Sequence, residues 1–338
     1  MVAAMPTPCI LVHGGAGAMR GMTPEREAQY RDGMRAAAAV GAAILRAGGS
    51  ALDAATAAMV DMEDGGVFNA GLGSCLTTAG TVEMDAAVMR GSDRAIGAVA
   101  GVAELANPIL AARAVMEHTP HCLLAAEGAL AFARDQGLER RTDFPPAHRR
   151  AEWESKRATL EARAAGKSVE QGLAELGGVL GAQEDDPLGG DDHHDTVGAV
   201  AMDAQGRLAA AVTTGGIWLK MPGRVGDSPL PGAGFWAVDG HGAAVATGTG
   251  EYLMRVMICH EAVHFMRAGD DAQTACEAVV ALLESEFGPD QGGLIAIDPQ
   301  GRLGWAINTH GMGRAAWHAG MAEPAVAVWP EDDWDRPL

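Results

Sequence analysis

The feature that most constrains this chain is a boundary. From about Arg140 to Asp195 charged residues dominate, and Gln183 to Asp195 is acidic and glycine-containing. Such a composition buries too little apolar surface to fold by itself, so about 140–195 reads as a flexible linker, with Glu152 to Leu176 as an exposed helix within it. At Thr196 the character changes within one residue. Val197 to Met202 and Leu208 to Val212 read as two buried strands joined at Asp203-Ala204-Gln205-Gly206. Whatever the fold, it places a polar segment directly in front of a core strand.

The remaining segments set the fold class. Cys9 to Val12 reads as a buried strand ending in the glycine-rich His13-Gly14-Gly15-Ala16-Gly17. Thr23-Pro24-Glu25 opens a helix with a capping hydroxyl, a proline in the first turn and an acid at the positive end of the dipole; it runs to Gly48-Gly49. A second helix starts at Ser50, with Asp53 three residues on, and continues to about Asp61. The turn Phe68-Asn69-Ala70-Gly71, a β-like stretch from Thr81 to Met89 and a helix opened by Asn107-Pro108 follow. Beyond the linker, Phe235 to Val238 and Ala243 to Ala246 form a hairpin across Asp239-Gly240. Helices over about Glu251 to Arg267 and Asp271 to Ser285 come next, then a strand pair at Leu294 to Ile297 and Leu303 to Ile307. Hairpins separated by helix pairs predict mostly antiparallel sheets covered by helices, an α+β arrangement.

Charge and cysteine content exclude several function classes. The chain of 338 residues carries 25 basic and 44 acidic side chains, a net charge of −19, which repels phosphate backbones and anionic lipid; no nucleic-acid or membrane partner is expected. Only Lys156, Lys167 and Lys220 are lysines, and the acid excess suggests tolerance of concentrated salt. The 5 cysteines are dispersed and form no CxxC pair, so buried reduced thiols are expected rather than disulfides or a zinc site. Met1 to Pro8 lacks a signal-peptide pattern and no apolar run reaches membrane-spanning length, which places the protein in the cytoplasm.

Three signals bear on chemistry. Gly15-Ala16-Gly17 follows a strand and precedes a helix, but Arg20 stands where a dinucleotide-binding loop needs its third glycine, so a tight turn or substrate-facing loop is the better reading. His260-Glu261-Ala262-Val263-His264 satisfies HExxH, in which two histidines one helical turn apart can share a zinc ion with Glu261 as base and Glu277 or Glu284 as a third ligand. Against it, Tyr252 to Phe265 carries apolar residues at the spacing of an ordinary amphipathic helix.

The third signal is longer. His194-Asp195-Thr196-Val197-Gly198 stands at the linker boundary and is followed by Thr213-Thr214-Gly215-Gly216, Gly223-Arg224-Val225-Gly226-Asp227-Ser228-Pro229 and Thr247-Gly248-Thr249-Gly250. Together with His13-Gly14-Gly15-Ala16-Gly17 and Phe68-Asn69-Ala70-Gly71, these segments resemble the plant-type asparaginase and isoaspartyl peptidase family of N-terminal nucleophile hydrolases, across nearly the whole chain. The resemblance implies a four-layer αββα sandwich and autocatalytic cleavage between Asp195 and Thr196. An α chain (1–195) and a β chain (196–338) would then form one domain, assembled as a dimer of αβ units. It implies Thr196 as nucleophile, Thr214 beside it, Asn69 in support, and Thr247 and Gly248 as oxyanion donors. It implies no redox cofactor or catalytic metal, with at most a structural Na⁺ on backbone carbonyls before Asn69.

The chemistry is coherent with these residues. A threonine hydroxyl needs a base, and cleavage at Asp195-Thr196 would supply one, since a free α-amine with a reference pKa of about 7.7 to 8.0 can take the proton from its own Oγ. Arg224 suits a substrate α-carboxylate and Asp227 an α-ammonium, unless the two simply pair with each other. Two departures stand out: Asp195 precedes the nucleophile where the isoaspartyl branch usually has Gly, and Ile217-Trp218-Leu219-Lys220 replaces a small polar run with an apolar wall. The acidic molecule suggests basic leaving groups, as in β-Asp-Arg or β-Asp-Lys. A zinc peptidase built on His260 and His264, and an unprocessed binding or scaffold relative, are the competing readings.

Overall fold

The computed structural model describes residues 6–17, 22–141, 144–164 and 196–335. Strands β1 (Cys9–Gly17), β2 (Met84–Arg90), β3 (Ala95–Val102), β4 (Leu123–Ala125), β5 (Val197–Met202), β6 (Leu208–Thr214), β11 (Gly311–His318) and β12 (Ala325–Ala327) form one sheet. Its order is β12-β11-β1-β5-β6-β2-β3-β4. Strands β7 (Phe235–Val238), β8 (Gly242–Gly248), β9 (Gly292–Ile297) and β10 (Leu303–Ile307) form a second, in the order β10-β9-β8-β7. Only the β3–β4 pair is parallel among the described strands.

Side-chain alternation turns these sheets into layers, because successive residues of a strand point to opposite faces. In β1, Ile10 and Val12 face helices α1 (Pro24–Arg46), α2 (Ala51–Gly65) and α3 (Pro108–His118), whereas Cys9 and Leu11 face the second sheet. In β8, Ala243 and Val245 complete that inter-sheet core, while Ala244 and Ala246 face α7 (Ile258–Ala268) and α8 (Ala272–Phe287). Three apolar cores between four layers make the predicted αββα sandwich. The expected α1 and α2 caps are present: Thr23 Oγ1 accepts from Arg26 N and Ser50 Oγ from Asp53 N.

Several elements depart from the sequence reading. The helix expected over Glu251 to Arg267 is two helices, α6 (Gly250–Val256) and α7, separated by Met257 at φ 52°. Strands β3, β4, β11 and β12 and helix α4 (Ala126–Asp135) had no counterpart in that reading. Gly15-Ala16-Gly17 belongs to β1 and forms no strand-to-helix loop. Within the supposed linker, α5 (Ala147–Ala164) begins earlier than Glu152 and is not simply exposed, since Arg149, Trp153 and Lys156 are buried. Asp195 and residues 165–194, including the rest of the expected 152–176 helix, lie outside the described residues. Cys9, Cys75, Cys259 and Cys276 are buried and Cys122 is exposed. No helix among the described residues is long and apolar enough to cross a membrane.

Candidate active site

The antiparallel register of the central hairpin builds the site. Val197 opposes Thr213, so the residue just before β5 comes to lie beside the last residue of β6. Thr196 Oγ1 is 3.2 Å from Thr214 Oγ1, and both side chains are buried. Thr214 Oγ1 also accepts from Gly216 N at 2.9 Å, which fixes the second hydroxyl as a preset partner for the first.

Asn69 holds the turn that makes this possible. It stands in the loop after α2, which ends at Gly66 in the left-handed region with φ 67°. Its Oδ1 accepts from Cys75 N at 2.8 Å, its Nδ2 donates to Gly216 O at 2.6 Å, and its carbonyl accepts from Gly215 N at 2.8 Å. An amide with both ends engaged in a buried site is a rigid brace. A β-carbon on Gly215 would sit 2.4 Å from Asn69 Oδ1, so the brace and the turn fit only as glycine and asparagine.

Thr196, Thr214, Gly216, Ile217, Arg224, Asp227, Ser228 and Gly248 line one small pocket. The predicted Thr196, Thr214, Arg224, Asp227 and Gly248 therefore converge, while Asn69 and Thr247 stand behind them. Thr247 is fully buried and its Oγ1 accepts from Ala16 N at 3.1 Å, linking it to the glycine-rich end of β1. Gly248 has φ 146°, and a β-carbon there would lie 2.2 Å from the Gln291 carbonyl oxygen, leaving its backbone bare toward the pocket.

Arg224 and Asp227 do not pair. Arg224 Nε and Nη2 donate to the two carboxylate oxygens of Glu251, in the first turn of α6, at 2.9 and 2.8 Å. Burial works against the guanidinium charge, but the Glu251 bonds outweigh it and raise the pKa of Arg224 further. Neither of these bonds uses Nη1. Asp227 Oδ2 and Ser228 Oγ are buried without a hydrogen-bond partner. Burial pushes the Asp227 carboxyl up to about 7, against the pull of Arg224. Two open acceptors beside a cation suit a zwitterion carrying one carboxylate and one ammonium.

Sequence reasoning missed Glu251 and Ser228. Ser228 lay inside the quoted Gly-Arg-Val-Gly-Asp-Ser-Pro segment but carried no assigned role, and Glu251 had no local signal tying it to an arginine 27 positions earlier. His13, fully buried within β1, has its pKa pushed down to about 3 by desolvation. His260 and His264 project from the exposed side of α7, with His260 Nδ1 3.4 Å from Glu261 Oε1 and the ring against Trp236. Among the described residues no set of three His, Cys, Asp or Glu side chains gathers to hold a metal ion, so the zinc reading finds no support.

A family model described as asparaginase matches residues 6–326. The chain belongs to the asparaginase family. Within it, the plant-type L-asparaginase of Thermococcus kodakarensis is 42% identical over 324 residues, 94% of this chain and 99% of that protein. The isoaspartyl peptidase of Escherichia coli is 42% identical over 327 residues, 95% of this chain and 96% of its own length. The isoaspartyl peptidase/L-asparaginase of Bos taurus is 37% identical over 300 residues, 89% of each chain. The αββα layering is the N-terminal nucleophile hydrolase fold of this asparaginase family.

Proposed function

We propose that this asparaginase-family chain is a self-processing threonine hydrolase that cleaves β-aspartyl dipeptides and L-asparagine. The observation that carries the reading is the Thr196–Thr214 hydroxyl pair, set in the same pocket as Arg224 and the unpartnered acceptor of Asp227. Maturation would begin with attack of Thr196 Oγ on the Asp195 carbonyl. The resulting ester is hydrolysed by water, leaving an α chain (1–195) ending in a carboxylate and a β chain (196–338) beginning with a free amine.

In turnover that amine takes the Oγ proton as Oγ attacks the substrate's β-carbonyl. Thr214, itself tied to Gly216 N, would hold Oγ in place through its own hydroxyl once the amine has the proton. Arg224 would hold the α-carboxylate and Asp227 with Ser228 the α-ammonium, which turns the β-carbonyl rather than the α-carbonyl toward Thr196. Thr247 and Gly248 would stabilise the oxyanion. Collapse of the tetrahedral species expels the leaving amine with the proton returned by the Thr196 amine. Water then hydrolyses the β-aspartyl ester to release aspartate.

The carbonyl oxygen of Glu63, in the last turn of α2, lies against Gly71, and those of Gly66 and Phe68 lie against Gly73; carbonyls are a donor type suited to a hard cation. These residues would hold a structural Na⁺, whose contribution would be loop rigidity. We place the mature enzyme in the cytoplasm as a dimer of αβ units. Comparing kcat/KM for β-Asp-Arg, β-Asp-Leu and asparagine tests the basic leaving group inferred from net charge.

Intact mass of the purified protein tests the central reading. Fragments ending at Asp195 and starting at Thr196 are expected, with Thr196→Ala remaining one inactive chain. A full-length chain without turnover would support the scaffold reading, and hydrolysis by Thr196→Ala would remove the proposed nucleophile.

A further inference from the structure

Helix α5 lies in the segment that composition marks as a spacer, yet it is fastened to the pocket wall. The described part of the helix carries Arg149, Trp153 and Lys156 on one side, at the i, i+4 and i+7 spacing that lines up one helical face, and all three are buried. Polar residues this long are rarely buried without a purpose for their stems or charges.

Two routes connect this face to the pocket. In the first, Trp153 Nε1 donates to Thr77 O at 2.8 Å, and its ring lies against Gly80, where a β-carbon would be 3.1 Å from Cζ2. The 76–81 turn that receives it is closed by Thr77 N to Thr81 O, and it bonds in turn to the wall through Thr78 N to Lys220 O and Leu219 N to Leu76 O, each at 2.9 Å. In the second, the Arg149 guanidinium and the Lys156 ammonium sit 5.7 and 5.6 Å from the centroid of the Trp218 ring. Both routes end on the segment Gly216 to Lys220. Ile217 in that segment faces the pocket, Lys220 Nζ donates to Glu83 O at 2.7 Å, and Leu219 holds a left-handed φ of 58°.

We propose that α5 is a working part of the mature enzyme, a positioning element that sets the Ile217 wall against the leaving amino acid of a β-aspartyl dipeptide. Arg149, Trp153 and Lys156 act through Trp218 and the 76–81 turn without touching substrate. The inference rests on the reading of Thr196 as nucleophile. Arg224, Asp227 and Ser228 line the same pocket and are the groups assigned to the aspartyl end, which leaves Ile217 for the other end of the substrate. Asparagine, which loses only ammonia, has nothing to place there.

The test compares Trp153→Ala, Lys156→Met and Lys156→Arg in self-cleaved full-length protein, with kcat and KM measured on β-aspartyl-leucine and on L-asparagine. Trp153→Ala is expected to raise KM for the dipeptide about tenfold, the scale on which an apolar pocket reports one misplaced methylene. KM for asparagine and kcat for both substrates should change less than about threefold, because uniform binding is lost rather than transition-state contact. Lys156→Met should show the same split to a smaller extent and Lys156→Arg should restore it, which keeps the test open if Trp153→Ala fails to mature. Parental constants in all three variants, or a change of equal size on both substrates, would overturn the inference. Thr196→Ala run alongside separates the two questions: turnover by that variant removes the nucleophile assignment, whereas its inactivity beside parental α5 variants removes only the role of α5.

Discussion

The hydroxyls of Thr196 and Thr214 face each other across 3.2 Å because β5 and β6 are in a register that pairs Val197 with Thr213. Thr214→Val keeps the shape of the side chain but removes the group that accepts from Thr196 Oγ1 and from Gly216 N. Its kcat is expected to fall about 10²-fold, the cost of misplacing a reacting atom by about an ångström, while KM stays near parental. Thr214→Ser should keep most of the activity. Steady-state kinetics on β-aspartyl-leucine decides it, and a Val variant with parental kcat would show that Thr214 has no orienting role.

The proposed ammonium site at Asp227 predicts ligand binding that depends on pH. Burial holds its carboxyl protonated up to about pH 7, and only the ionised form complements an ammonium. The inhibition constant of L-aspartate, the expected product, should therefore fall as pH rises from 6 to 8. Asp227→Asn should bind about tenfold or more weakly and lose that dependence. An Asn variant with the parental pH profile would assign the titration to another group.

Glu251 occupies the Nε and Nη2 side of Arg224 and, under the proposed role of Arg224, would decide which edge of the guanidinium meets the substrate. Glu251→Gln keeps one acceptor but loses the bidentate charged pair. KM is expected to rise about tenfold with kcat nearly unchanged, since the substrate carboxylate is held equally in ground and transition states. A loss confined to kcat would mean that Glu251 acts on the chemistry instead.

Much of this arrangement was legible from residue pattern. β1, β5 and β6 are runs of small apolar residues that can only be buried, and the hairpins announce themselves at Asp203 to Gly206 and Asp239-Gly240. Thr196, Thr214 and Gly248 could be singled out as candidates because each stands at or beside the terminus of a strand. What escaped depends on partners remote in sequence. β11 carries Arg314 at its centre, and its burial makes sense only when the Trp305 ring lies 3.6 Å from the guanidinium carbon. The α6–α7 break falls at Met257, where no glycine or proline marks it. α5 looks like linker by composition because its buried residues are arginine, tryptophan and lysine, whose partners Trp218 and Thr77 lie some 60 to 80 positions away.

Glu63 offers a test of the scaffold independent of catalysis. It is fully buried in α2, where Oε1 accepts from Thr213 Oγ1 at 2.7 Å and Ile109 N at 3.1 Å, and Oε2 has no partner. Desolvation pushes its carboxyl from 4.5 to about 8, the donors to Oε1 offsetting only part of that. Below pH 4.5 folded and unfolded chains are both protonated and the group is neutral to stability. Between that point and about 8 the unfolded chain ionises first, so folding loses stability as pH rises, and above 8 the loss is complete. Glu63→Gln keeps an acceptor for Thr213 and Ile109 but cannot ionise. The drop in melting temperature between pH 5 and pH 9 should therefore be smaller in Glu63→Gln than in the parent, by an amount on the order of several degrees for a chain of this size. Equal drops in the two proteins would show that Glu63 is not the group whose ionisation opposes folding.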